Sequence, residues 1–121
     1  MYIQNYNLDL PNTIPLLFDC TSSTRFNLEF TNTGDNPLTS VNIKALFVPN
    51  GSDQDWLTTL DHFDINADPQ PMVVGLHGES IYNLAPGGVG IISLNCEYIY
   101  SLRVSVTVAS TGNIQVKGLG I

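Results

Sequence analysis

Apolar and polar residues alternate on either side of a turn-rich run, which predicts two β-strands between positions 25 and 48. Successive side chains of a strand face opposite sides, so Phe26, Leu28 and Phe30 should share one face. The run from Asn32 to Pro37 supplies Gly for a turn, Asn and Asp for local hydrogen bonds within it, and a proline that ends strand pairing. The alternation then resumes, and we expect its apolar members to face the same core: Val41, Ile43, Ala45 and Phe47.

The rest of the chain repeats this pattern in short segments. The most regular one is YIYSLRVSVTV at 98–108, whose predicted inward residues are Tyr100, Leu102, Val104, Val106 and Val108. Turn signals separate about seven to nine such strands, and no helical period extends beyond one or two turns. We predict an all-β fold, an immunoglobulin-like β-sandwich of two antiparallel sheets.

The length of 121 residues corresponds to one domain. We divide it into residues 1–12, an extended first strand or partner-binding arm with Tyr2 and Tyr6 as its large side chains, and a sandwich domain at 13–121. The first segment, MYIQNYNLDLPN, has no basic residue and no apolar core, so we expect no secretory signal. No run reaches the roughly 18 apolar residues of a membrane helix.

Residues 51–72 are the irregular part, and we predict a long loop with at most one helical turn, capped by Asp55. Consecutive threonines and two prolines disfavour a longer helix. Loops of this length are commonly functional, which makes this segment a candidate contact surface.

Charge excludes two classes of partner. Eleven acidic and four basic residues give a net charge of −7, which repels nucleic acid and anionic membrane. Only 12% of residues are charged, and outward strand positions carry Asn, Thr, Ser and Gln instead. Such side chains cost less to desolvate than ions, which is compatible with close protein contact.

The sequence offers no catalytic constellation, so we predict a protein that is not an enzyme. There is no G-x-S-x-G motif, and His62 belongs to no recognisable motif. His77 stands beside Gly78, Glu79 and Ser80, but neighbouring residues of a strand or turn point apart and cannot share a proton.

No metal or cofactor is predicted. Residues 64–68, DINAD, have the D-x-N-x-D spacing of calcium loops, but Pro69 and Gly75 stand where an EF-hand requires Gly and Glu. A less regular calcium site in the acidic segment from Asp53 to Asp68 remains an alternative to a solvated loop. The two His and two Cys have no zinc-ligand spacing.

Cys20 and Cys96 are expected to be reduced and partly buried, with a disulfide as the alternative. The cysteine pair of immunoglobulin domains is accompanied by a Trp on the strand after the first Cys, and Trp56 lies too far along the chain.

Loop aromatics complete the candidates. Trp56 with His62 and Phe63 would stack on a sugar, close one end of the sandwich as a plug, or anchor a protein interface; we favour the plug over the sugar site. The predicted partner-binding residues are Tyr2, Tyr6, Trp56 and Phe63.

Two segments carry a family resemblance. FTNTGDNPLTSVNIKAL resembles the strand–turn–strand of prokaryotic immunoglobulin-like conserved-repeat and adhesion-type domains, and LAPGGVGIISL is similar to their later turn. As a small acidic sandwich, the chain also resembles by type the decoration or cement proteins of tailed bacteriophage capsids. This resemblance implies a structural virion protein, assembled in the host cytoplasm, that binds the major capsid or another virion protein and can self-associate. A carbohydrate- or surface-binding adhesion module is the alternative.

Overall fold

A computed structural model describes residues 2–11, 14–60, 73–79, 81, 83–97, 99–108 and 111–121. These residues form nine strands and one short 3-10 turn at Asp53–Asp55. The strands are β1 Tyr2–Leu10, β2 Leu16–Asp19, β3 Arg25–Asn32, β4 Leu38–Leu46, β5 Trp56–Leu60, β6 Val73–Gly78, β7 Val89–Asn95, β8 Ser101–Val108 and β9 Gly112–Gly120.

The strands lie in two sheets, and every pairing is antiparallel. Sheet A has five strands in the order β1-β9-β3-β7-β6, and sheet B has four in the order β2-β8-β4-β5. The chain passes from sheet A to sheet B three times, between β1 and β2, between β3 and β4 and between β7 and β8. The predicted all-β sandwich of two antiparallel sheets is therefore confirmed.

Alternation along each strand places the core between the sheets. Phe26, Leu28 and Phe30 of β3 are fully buried, as their spacing predicted. Leu102, Val104 and Val106 of β8 bury the equivalent face of sheet B. Full burial of such a side chain contributes roughly 1.5–3 kcal/mol relative to leaving it exposed, which makes this inner layer the main source of stability.

Glycine at the end of β9 makes room for an aromatic cluster. Gly118 faces the core, where a Cβ would overlap the Phe18 ring and lie 2.8 Å from a ring carbon of Phe26. The two rings meet edge to face with centroids 5.8 Å apart. This close approach requires the absence of a side chain on β9.

Two aromatics that were predicted to face inward do not. Phe47 is 37% exposed and Tyr100 is 38% exposed, because β4 ends at Leu46 and β8 begins at Ser101. The Tyr100 N–H donates to the Leu46 carbonyl at 2.8 Å, and the chain leaves the sheet beyond this point. Asn50, in the following turn, adopts a positive φ of 55°.

The prediction that Trp56 lies in a loop was wrong, since Trp56 begins β5 and pairs with Leu46. Asp55 does not cap a helix through residues 56–60. Its carboxylate accepts the Ser52 N–H at 2.8 Å and closes the short turn before the strand. Residues 57–60, LTTL, continue the strand, as β-branched threonines favour. Residues 61–72 lie outside the described part of the chain.

Candidate functional site

Both predicted tyrosines pack against the core from β1. Tyr6 meets Phe18 edge to face with ring centroids 5.3 Å apart, and its hydroxyl donates to the Leu17 carbonyl at 2.8 Å. Tyr2 packs on Phe26 with centroids 5.9 Å apart. Strand β1 pairs with β9 over its whole length. The role of both tyrosines in partner binding, and the boundary at residue 12, stay predictions.

Trp56 is half-buried on the outer face of sheet B, and not between the sheets as a plug would be. The guanidinium carbon of Arg103 lies 4.5 Å from the centroid of its ring, a cation–π contact. Phe63 and His62, its predicted neighbours, lie outside the described residues.

The structure brings together a surface that the sequence did not indicate. Eight large apolar side chains are exposed among the described residues: Ile3, Ile14, Leu17, Phe47, Val48, Val89, Tyr100 and Ile121. Four of them lie at one end of the sandwich, and we call Phe47, Val48, Tyr100 and Ile121 the apolar end. Phe47 and Val48 follow the last residue of β4, Tyr100 precedes the first residue of β8, and Ile121 follows the last residue of β9. These strand ends lie at the same end of the sandwich.

A cleft of about 290 Å³ opens on the apolar end. Its lining residues are Thr21, Phe47, Glu97, Ile99 and Tyr100. Ile99 is buried, whereas the two aromatic rings are more than one-third exposed. The volume is at the lower limit of the roughly 300–1,000 Å³ of pockets that enclose drug-sized ligands, so the cleft is large enough for an inserted side chain of a partner.

Local hydrogen bonds hold the polar rim of this cleft. The backbone N–H and the hydroxyl of Thr21 donate to Oδ1 of Asp19 at 2.9 and 2.8 Å. These two bonds hold the pKa of the Asp19 carboxyl below its usual range. The Glu97 N–H donates to Oδ1 of Asn95 at 3.2 Å. A rim ordered in advance loses little conformational entropy on binding.

Two free thiols lie beneath the cleft. Cys20 and Cys96 are almost completely buried, at 1% and 0% exposure. The Cys96 thiol donates to the Ser23 carbonyl with Sγ 3.4 Å from the oxygen. Burial raises the pKa of both thiols, and the neighbouring Cys96 adds to the effect on Cys20. Both cysteines are free in the structure, as the sequence favoured, and they are more deeply buried than the partial burial that was predicted.

We expect both thiols to resist a thiol-specific reagent in the folded protein and to react after denaturation, because the buried groups hardly form thiolate. A thiol whose pKa is raised in the folded state stabilises the fold fully below the ordinary thiol pKa, near 8.5. Above that pH the unfolded state releases the proton and the folded state retains it, so this contribution is lost as the pH rises. The free energy of unfolding, measured in urea, should therefore fall more steeply with rising pH in alkali for wild type than for Cys20→Ala. Rapid labelling of native protein would contradict the burial.

No family model matches this chain, and no curated protein matches it in sequence. Among solved structures, it is similar to the SPBc2 prophage-derived protein YomS, with a TM-score of 0.47 and 10% sequence identity. The match covers 98% of this chain and 93% of that one. The function is therefore inferred below from the chain's own surfaces.

The other candidate chemistries are not assembled in the described part of the chain. It contains no group of three or more His, Cys, Asp or Glu side chains that would hold a metal ion. The predicted calcium alternative covers the segment from Asp53 to Asp68; Asp53 and Asp55 lie in the short 3-10 turn, whereas Asp61, Asp64 and Asp68 lie outside the described residues, so this alternative stays a prediction. His77 is exposed in β6. Nor do these residues include a helix with the length and apolarity needed to cross a membrane.

Proposed function

We propose that this protein is a non-enzymatic structural protein of a virion, a phage capsid decoration or cement protein that binds other virion proteins through its apolar end. The observation that carries the binding role is that four of the eight large apolar side chains exposed in the described part of the chain lie at one end of the sandwich, where Phe47 and Tyr100 line a cleft. The virion setting follows from the resemblance by type to decoration proteins.

The chemistry of the apolar end suits a protein partner. Aromatic side chains are enriched at the centre of protein interfaces, and Phe47 and Tyr100 have enough exposed surface to enter one. Val48 and Ile121 extend this surface, at 44% and 62% exposure. A soluble chain that leaves such residues together at one end gains free energy when a partner covers them.

The negative charge of the chain indicates which surface charge its partner should have. Glu97 lies on the rim of the cleft, and the chain as a whole carries −7. We expect the partner to offer an apolar knob within a neutral or basic surface, such as the major capsid protein or another virion protein. The same charge disfavours nucleic acid and anionic membrane.

The mechanism is passive. A ligand that binds the native state stabilises it by mass action, so a rigid sandwich across a subunit junction stabilises the assembled lattice. Repeated copies on a lattice allow each contact to be modest, provided the geometry permits simultaneous engagement. Assembly then takes place in the host cytoplasm, and the mature protein is part of the virion.

Co-sedimentation with purified particles that lack the protein tests both parts of the proposal. We expect wild type to bind and the double variant Phe47→Ser, Tyr100→Ser to lose at least about tenfold in affinity, since each ring contributes roughly 1.5 kcal/mol or more when buried. Val89→Ser is the matched control, because Val89 is exposed on β7 at 39%.

Two outcomes decide against the proposal. Absence of the protein from purified particles by mass spectrometry would reject the virion role. Equal binding of wild type and the double variant would reject the apolar end as the site.

Trp56 is the residue on which the adhesion-module alternative depends. A sugar ring stacks on an open aromatic face, but Arg103 covers one face of this half-buried ring. This contact disfavours stacking of a sugar on the covered face of Trp56. Binding on a glycan array that disappears with Trp56→Ala would support the alternative.

A further inference from the structure

The four edge strands of the sandwich differ in how they end their sheets. Strand β2 has four residues. The pairings of β5 with β4 and of β6 with β7 each contain a register shift. Strand β1 has nine residues, and all nine pair with β9 without a shift. It is therefore the long and regular edge among the described strands.

Proteins protect an exposed edge with short strands, bulges, lysine or proline, because unpaired N–H and C=O groups bind other strands. Strand β1, YIQNYNLDL, contains no lysine and no proline. Its one charged side chain is Asp9, next to the last residue of the strand. No other described strand pairs with its outer side. Edge β1 is thus shaped for strand addition.

We propose that β1 pairs antiparallel with β1 of a second copy of this chain, which joins two five-stranded sheets into one continuous sheet about a two-fold axis. This inference goes beyond the proposed function and does not depend on it. An isologous contact of this kind requires a surface that is complementary to itself.

The sequence of β1 is compatible with such a contact when the two-fold axis passes through Tyr6, because no like charges then lie opposite each other. All nine residues then pair, Asn5 lies opposite Asn7 of the other copy, and Ile3 lies opposite Asp9. The two Asp9 carboxylates are six residues apart along the strands, about 20 Å at ~3.3 Å per residue. This distance exceeds the Debye length of about 8 Å at physiological salt, so their repulsion is screened.

The second layer of the sandwich supports the same contact. The Tyr6 hydroxyl bonds the Leu17 carbonyl, so β2 lies beside β1 at this edge. Ile14 and Leu17 expose 75% and 53% of their surface there. A two-fold axis perpendicular to sheet A brings the β2 edges of both copies to the same side. Their apolar surface then adds to the backbone hydrogen bonds.

The dimer has a consequence for virion assembly, and this consequence rests on the proposed function. Tyr2 pairs with Gly120 near the apolar end, and Leu10 pairs with Gly112 at the opposite end of the sandwich. Antiparallel pairing of β1 therefore places the two apolar ends at opposite ends of the dimer. A dimer of this shape is suited to bridge two capsid subunits.

Sedimentation equilibrium over a wide concentration range tests the dimer. We expect wild type to reach twice the mass of one chain. The variant Asn5→Lys, Asn7→Lys places two pairs of like charges across the two-fold axis and should raise the dimer Kd about tenfold or more. Ile3→Lys should retain the dimer, since it places a cation opposite Asp9 of the other copy.

The matched control is Val89→Lys, Ser105→Lys, which makes the same charge change at two exposed strand positions away from β1. A monomeric wild type at every concentration would overturn the proposal, as would equal dimerisation of the β1 double variant and this control.

Circular dichroism checks that each variant folds. If the β1 variant does not fold, hydrogen exchange of wild type decides. Protection of β1 amides must rise with concentration, and unchanged protection rejects the pairing.

This outcome is separable from the proposed function. Particle binding depends on Phe47 and Tyr100 at the apolar end, whereas dimerisation depends on β1. A monomeric protein that still binds particles would refute the dimer alone.

Discussion

Leu28→Asp and Val104→Asp should each abolish folding. Leu28 lies in β3 and Val104 in β8, and their exposures are 0% and 1%. Either change buries a carboxylate without a partner and removes an apolar side chain from the core. Loss of a large core side chain alone costs about 2–5 kcal/mol, and the buried charge adds to it. Together they approach the roughly 5–15 kcal/mol by which a native domain is stable.

The control for this pair is Val89→Asp, the same exchange at a position that is 39% exposed. It should fold and melt close to wild type, because its carboxylate stays in water. Thermal melts followed by circular dichroism measure the difference. A cooperative melt of Val104→Asp at the temperature of Val89→Asp would show that Val104 is not in the core.

Asn32→Asp should destabilise the protein by about 3–5 kcal/mol, although the two side chains have almost the same shape. Asn32 is 1% exposed, and its Nδ2 donates to the carbonyls of Asn36 at 2.8 Å and Leu84 at 3.0 Å. Its Oδ1 accepts the Gly34 N–H at 3.0 Å. The substitution retains the acceptor but turns the donor into a carboxylate oxygen that faces two carbonyls.

The pH dependence of this variant provides a second readout. Burial and the two carbonyls favour the protonated carboxyl and raise its pKa in the folded state. The penalty should therefore be small below the unfolded carboxyl pKa, near 3.9, and reach its full size as the pH rises through the folded value. Urea unfolding at pH 7 and at low pH measures both. The control is Asn95→Asp, because Asn95 is exposed at the end of β7 and the exchange keeps the oxygen that accepts the Glu97 N–H. Equal losses in the two variants would contradict the role assigned to Asn32.

Asn32 also shows how far turn chemistry can be derived from sequence. The run from Asn32 to Pro37 predicted a turn with Asn and Asp in local hydrogen bonds, and the Gly34 bond to Asn32 is of this kind. The bond from Asn32 to Leu84 spans 52 positions along the chain. No local pattern indicates such a partner, because the two residues meet only when the sheets pack.

The candidate site depended still more on distant contacts. Phe47 continues the apolar alternation of β4, so its sequence context is that of a core residue. It is exposed because the sheet ends at Leu46, which pairs with Ser101 at the start of β8, more than 50 residues later in the chain. Trp56 was assigned to a loop for a similar reason, since its pairing with Leu46 is not visible in a five-residue strand with no clear alternation.

Local order along the chain was enough to predict that the protein is an all-β sandwich and that β3 and β8 present the residues found in its core. A strand's period of two is a property of neighbouring residues, and burial of the apolar face follows wherever the strand is placed. Packing between distant segments set the partner of each strand, the residue at which each sheet ends, the room for Phe18 over Gly118, and the grouping of the apolar end. Alternation shows that a strand has a face to bury, but the residues that cover that face come from elsewhere in the chain.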